Sequence, residues 1–86
     1  MTVAHADDAR VVVYSRAGCH LCEAAEQLVA QVVAETGDGW ARVDIDTDPD
    51  LQQRFTDQVP VTFVDGRQHD FWRVDPDRLR AALTAR

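Results

Sequence analysis

Two cysteines three positions apart, Cys19 and Cys22, stand where a run of β-branched residues gives way to a long stretch of helical periodicity. That junction limits what the chain can fold into more than any other feature. Arg10-Val11-Val12-Val13-Tyr14 has the make-up of a short strand covered on both faces. Ser15-Arg16-Ala17-Gly18 reads as a loop. From Cys19 to Thr36 the apolar residues fall at Leu21, Ala25, Leu28, Val29, Val32 and Val33. Those intervals of three and four mark one face of an amphipathic helix, and Gly37 supplies a stop just past its end. Both thiols therefore belong to the first turn of a helix that follows a strand.

The rest of the chain supplies partners for that unit. Trp40 to Asp46 reads as a second strand with Val43 and Ile45 on one side. Asp48-Pro49 is an N-cap followed by a first-turn proline, opening a short helix to Asp57. Val61-Thr62-Phe63-Val64 is a third strand, and Asp65-Gly66 signals a hairpin into a fourth near His69–Arg73. Asp75-Pro76 repeats the cap-and-proline device before a last helix that buries Leu79, Ala82 and Leu83. The order is β-α-β-α-β-β-α, an α/β fold. Strands joined through a helix are expected to be parallel and the closing hairpin antiparallel, giving a four-stranded mixed sheet with helices on both faces. With 86 residues there is room for one domain, 10–86, preceded by a flexible N-terminal tail, 1–9.

Charge narrows the function. Nine basic residues, all Arg, stand against fifteen acidic ones, a net charge of −6. Such a chain repels phosphate backbones, so nucleic acid and anionic membranes are not expected partners. The first nine residues have no apolar core and carry acid where a secretory signal carries base. No stretch approaches the 18 or more apolar residues of a membrane span. The expectation is a soluble, cytoplasmic monomer. In that compartment paired thiols favour redox chemistry or metal binding over architecture, and a bridge closing so small a loop contributes little stability.

Residues i and i+3 share a helix face with Cβ atoms about 5–6 Å apart, so a disulfide between Cys19 and Cys22 forms and breaks with little backbone movement. The N-terminus of the helix, with its unpaired N–H groups and partial positive charge, favours a thiolate at Cys19. Cys22, one turn in, is the shielded partner. Arg16 and protonated His20 are expected to favour the Cys19 thiolate further. Two other readings stay open: a zinc or iron–sulfur site using the same pair, and two inert cysteines filling a helix face. Against the metal, His5, His20 and His69 lack ligand spacing. Val59-Pro60 is either an edge device or a cis peptide presenting the Val59 N–H and C=O to an extended substrate. Trp40 is expected in packing and Trp72 in a substrate groove. Arg67 and Arg73 read as solvated charges and His69 as an exposed strand residue. Asp44, Asp46, Asp48 and Asp50 alternate like half a calcium loop but lack its glycine and its closing glutamate.

Three segments together, Val12 to Cys22, Asp44-Ile45-Asp46 and Val59 to Gly66, resemble the glutaredoxin branch of the thioredoxin superfamily, most of all the short bacterial glutaredoxin-like proteins. The resemblance implies a thioredoxin-like fold and a small dithiol oxidoreductase that reduces protein or small-thiol mixed disulfides. It implies Cys19 as attacking thiol, Cys22 as resolving thiol, Pro60 as a cis-proline beside them and Val59 as the residue pairing with substrate backbone. No bound cofactor is required, only an external thiol reductant, glutathione or another low-molecular-weight thiol. The chain departs from glutaredoxins where a Gly-Gly and an aspartate pair usually follow the last hairpin. Here the stretch is Asp70-Phe71-Trp72-Arg73-Val74-Asp75-Pro76-Asp77, with bulky Trp72 expected to occupy part of the groove. Thiol–disulfide chemistry is therefore implied and glutathione dependence is not. The remaining alternative is a redox-inactive adaptor on the same fold.

Overall fold

The computed structural model describes residues 9–84. The predicted tail, save Ala9, lies outside the described residues, as do the last two of the predicted domain. The elements are β1 (Val11–Ser15), α1 (His20–Thr36), β2 (Trp40–Asp44), α2 (Pro49–Phe55), β3 (Val61–Val64), β4 (Arg67–Phe71) and α3 (Pro76–Thr84), with a 3-10 turn over Ile45–Thr47. Strand order across the sheet is β2-β1-β3-β4. β1 runs parallel to β2, Val11 opposite Trp40, and antiparallel to β3, Tyr14 opposite Val61. β3 and β4 form the antiparallel hairpin. The predicted order and mixed sheet are both present.

The central strand β1 divides two cores by the alternation of its side chains. Val11 and Val13 point to one face, where they meet Val29, Val32 and Val33 of α1 and Leu79 and Leu83 of α3. Tyr14 points to the other, against Phe55 of α2 with Ile45, Val61 and Phe63. Trp40 is 7% exposed and belongs to the first core, as expected of a packing residue. Each helix starts on a side chain that takes an otherwise unpaired N–H. Asp48 accepts from Asp50 N and Asp75 from Asp77 N, both at 2.9 Å, and Cys19 does the same for α1. Gly37 ends α1 at φ 78°, its N–H on the Val33 carbonyl at 2.8 Å.

Several boundaries differ from the expectation. β1 runs one residue later than expected, so Ser15, read as loop, ends the strand. β2 stops at Asp44, because its carboxylate accepts Asp46 N at 2.9 Å and its carbonyl accepts the Thr47 hydroxyl at 2.7 Å, turning the chain. Ile45 is thereby dropped into the α2 core instead of extending the strand. α2 ends at Phe55, two residues short. β4 starts at Arg67, since Asp65 at φ 51° and Gly66 at φ 82° form a two-residue turn that pairs Val64 with Arg67 at once. A bulge in this hairpin between Thr62 and Phe63 shifts the register, and the His69 side chain is 13% exposed, not the exposed residue expected.

Candidate active site

β1 runs out at Ser15, and the loop that follows turns through Gly18 at φ 74° to deliver Cys19 to the start of α1. A left-handed backbone there costs glycine nothing and other residues about 1–2 kcal/mol. Cys19 is the N-cap: its backbone is extended and its Sγ accepts the Cys22 N–H at 3.1 Å. Its carbonyl accepts the Glu23 N–H at 3.1 Å, the first bond of the helix. Cys19 and Cys22 are joined in a disulfide with Cα atoms 5.2 Å apart. Cys19 is partly exposed and Cys22 is fully buried. The asymmetry expected of an attacking and a shielded sulfur is thus present. A backbone N–H aimed at the outer sulfur, at the positive end of a 17-residue helix, is a fixed donor for a thiolate once the bridge opens.

The other predicted residues are placed unevenly. Arg16 lies in the loop, but its guanidinium forks onto Asp46 at 2.6 and 3.3 Å. That bond, with the Gln52 amide second, holds the Asp46 carboxyl below its usual range, and the same pair raises Arg16. Arg16 is thus paired to a carboxylate and does not present a bare charge to Cys19. His20 points into solvent, 98% exposed, with Nδ1 3.6 Å from the Glu23 carboxylate. Val59-Pro60 is a cis peptide and Pro60 is fully buried. The antiparallel register that sets Tyr14 against Val61 puts this peptide at the same sheet end as the Cys19 loop. Val59 needs a correction: its N–H, expected to face a substrate, donates to the Phe55 carbonyl at 3.1 Å and closes the end of α2.

Trp72 lies just beyond β4 at φ 64°. Its N–H donates to the Pro60 carbonyl at 2.8 Å and its indole Nε1 to the Asp57 carbonyl at 2.9 Å. The ring meets Phe71 edge-on, centroids 5.1 Å apart. Across an open groove of about 260 Å³ stands Leu21, with Ala24, Ala25 and Leu28 behind it on α1. The sequence pattern assigned Leu21 to the buried face; it is 45% exposed. It shares a helical face with buried Ala25 and Val32, but it stands in the first turn of α1, at the groove. Among the described residues no three His, Cys, Asp or Glu side chains come together in a way that could hold a metal. Of the alternating aspartates, Asp44 and Asp48 instead cap backbone N–H groups and Asp46 binds Arg16. Among the described residues no helix is long and apolar enough to cross a membrane.

With this geometry in hand, known proteins give a consistent comparison. The family described as Glutaredoxin-like domain (DUF836) matches residues 10–84. An uncharacterised protein of Mycobacterium tuberculosis is 36% identical over 79 residues, covering 86% of this chain and 81% of that protein. The X-ray structure of a structural-genomics target from X. campestris superposes with a TM-score of 0.72 at 36% identity, over 88% of this chain and 97% of that one. Wheat glutaredoxin gives 0.59 at 26% identity, over 88% and 80%. The architecture is thioredoxin-like.

Proposed function

Because this chain belongs to the glutaredoxin-like domain family, we propose that it is a small dithiol oxidoreductase that reduces disulfides through Cys19 and Cys22. One observation carries the reading: the partly exposed sulfur accepts a backbone N–H at the start of α1 while its disulfide partner is fully buried. The oxidised pair first takes two electrons from an external thiol reductant. The Cys19 thiolate then attacks a substrate disulfide, forming a Cys19–substrate bond and expelling the other substrate sulfur as thiolate. The Cys22 thiolate attacks Cys19, restores the Cys19–Cys22 bond and releases the second substrate thiolate. Two electrons pass from the dithiol to the substrate. Val59 and Pro60 lie at the same sheet end as the Cys19 loop, and we assign them, with Trp72 and His20, to the approach of the substrate.

Removing one sulfur at a time tests the division of labour. Cys19→Ser should abolish reduction of a mixed disulfide in a coupled assay. Cys22→Ser should capture the substrate as a stable mixed disulfide visible by mass spectrometry, or leave only monothiol turnover. Equal and mild losses in both variants would overturn the assignment. Comparing glutathione, other small thiols and thioredoxin reductase as electron donors then identifies the reductant.

A further inference from the structure

Three large apolar side chains are exposed among the described residues: Leu21 at 45%, Phe71 at 49% and Trp72 at 52%. They are linked in space through one groove. Leu21 sits between the two cysteines, Trp72 faces it across the groove, and Phe71 braces the indole. The indole is held, not loose: its Nε1 and its backbone N–H are bonded to carbonyls of the 57–60 segment, at a positive φ that an aromatic residue rarely adopts. A bulky side chain fixed in a costly conformation beside a reactive centre points to a role in recognition.

We propose that Leu21 and Trp72 form a specificity subsite, which takes one bulky apolar side chain flanking the cysteine of an extended, neutral or basic protein disulfide. The inference rests on the thiol–disulfide reading above and adds the substrate class. Three observations fix the occupant. The groove, about 260 Å³, is smaller than the roughly 300–1,000 Å³ of pockets that enclose a small molecule, so it suits a side chain. The backbone beside it is largely spent: Trp72 occupies the Pro60 carbonyl and Phe55 the Val59 N–H, so recognition falls to side-chain packing more than to strand pairing. The net charge of −6 disfavours anionic small disulfides and favours a neutral or basic segment, whose own charges must lie outside the groove because Arg73 lines it.

Binding and turnover separate this subsite from the redox reading. Two arginine-containing hexapeptides, with serine replacing cysteine and either Phe or Gly on both sides of it, are titrated into the oxidised protein. Affinities are read by isothermal titration calorimetry in every variant, and the Trp72 indole N–H resonance locates the site in the unsubstituted protein. The Phe peptide should shift that resonance and bind about tenfold more tightly than the Gly peptide. Trp72→Ala and Leu21→Ser should each bring the two affinities within about twofold; Leu21 is exposed on a helix, so its variant keeps the fold if Trp72→Ala does not. Equal binding by the two peptides, or a preference that survives both substitutions, would overturn the subsite. The cysteine versions, as mixed disulfides, should show the same preference in kcat/KM. A binding preference with turnover of neither disulfide would support the subsite and count against the oxidoreductase.

Discussion

Gly37 and Trp72 both sit at positive φ, 78° and 64°, for opposite reasons. Gly37 ends α1, and nothing lies within 4 Å of where a Cβ would stand, so a side chain there meets conformational cost alone. Gly37→Ala should lower unfolding free energy by about 1–2 kcal/mol, read as a reduced urea midpoint at unchanged slope. A loss near zero would mean that the last turn rearranges. Glycine announces such a position in the sequence. Trp72 does not: its backbone N–H is held by the Pro60 carbonyl and its indole by the Asp57 carbonyl, both far upstream, and no local preference places an indole in the left-handed region. The two sulfurs could be read because their spacing and their helix are local. The indole's partners and the loss of the Val59 N–H to Phe55 are products of tertiary packing, invisible to a linear reading.

At the level of elements, α1 and β3 were legible because period and composition agreed there, and β3 spans the four residues expected. β2 and β4 moved because hydrogen bonds of Asp44 and the Asp65-Gly66 turn outweighed strand propensity. Among the ion pairs that join elements the backbone leaves separate, two lower a carboxylate. Arg16 in the Cys19 loop holds Asp46 in the 3-10 turn, and Arg80 of α3 holds Glu35 of α1 at 2.7 Å. Hydrogen bonding to Arg16, then Gln52, lowers the Asp46 carboxyl from 3.8, and hydrogen bonding to Arg80 lowers Glu35 from 4.5. A carboxylate lowered on folding stabilises the protein above its unfolded value and loses that contribution as pH falls through its folded value. Stability should therefore hold down to pH 4.5 and then decline across and below the 4.5–3.8 window. Both carboxylates are solvent-exposed, so the decline should be shallow and shrink in salt. Urea unfolding from pH 7 to pH 3 checks it. Arg16→Gln combined with Arg80→Gln should flatten the acid limb, and an unchanged limb would place the acid sensitivity elsewhere.

For the whole molecule, the question is whether a domain this small survives the opening of its disulfide. Both apolar clusters are built from strands and helices without either cysteine among their described members. Arg10 supplies a separate tie among distant segments, through Asp38 at 3.0 Å, Asp65 at 2.9 Å and the Leu83 carbonyl at 2.9 Å. The bridge closes a loop of sequence separation 3, for which chain entropy gives only about 2 kcal/mol. Part of that returns on reduction, because the Cys22 N–H already aimed at the Cys19 sulfur bonds a thiolate more strongly than a disulfide sulfur. Reduction should therefore leave the far-ultraviolet circular dichroism unchanged and lower Tm by less than about 15 °C. Arg10→Ala should cost a comparable amount, about 1–3 kcal/mol, in both redox states, since its bonds lie at the opposite end of the sheet from the sulfurs. A reduced protein without a cooperative unfolding transition would show the bridge to be structural. On the proposed cycle the sulfurs are joined and apart in turn, so the scaffold has to draw its stability from elsewhere, and the two cores and the Arg10 tie are where this chain places it.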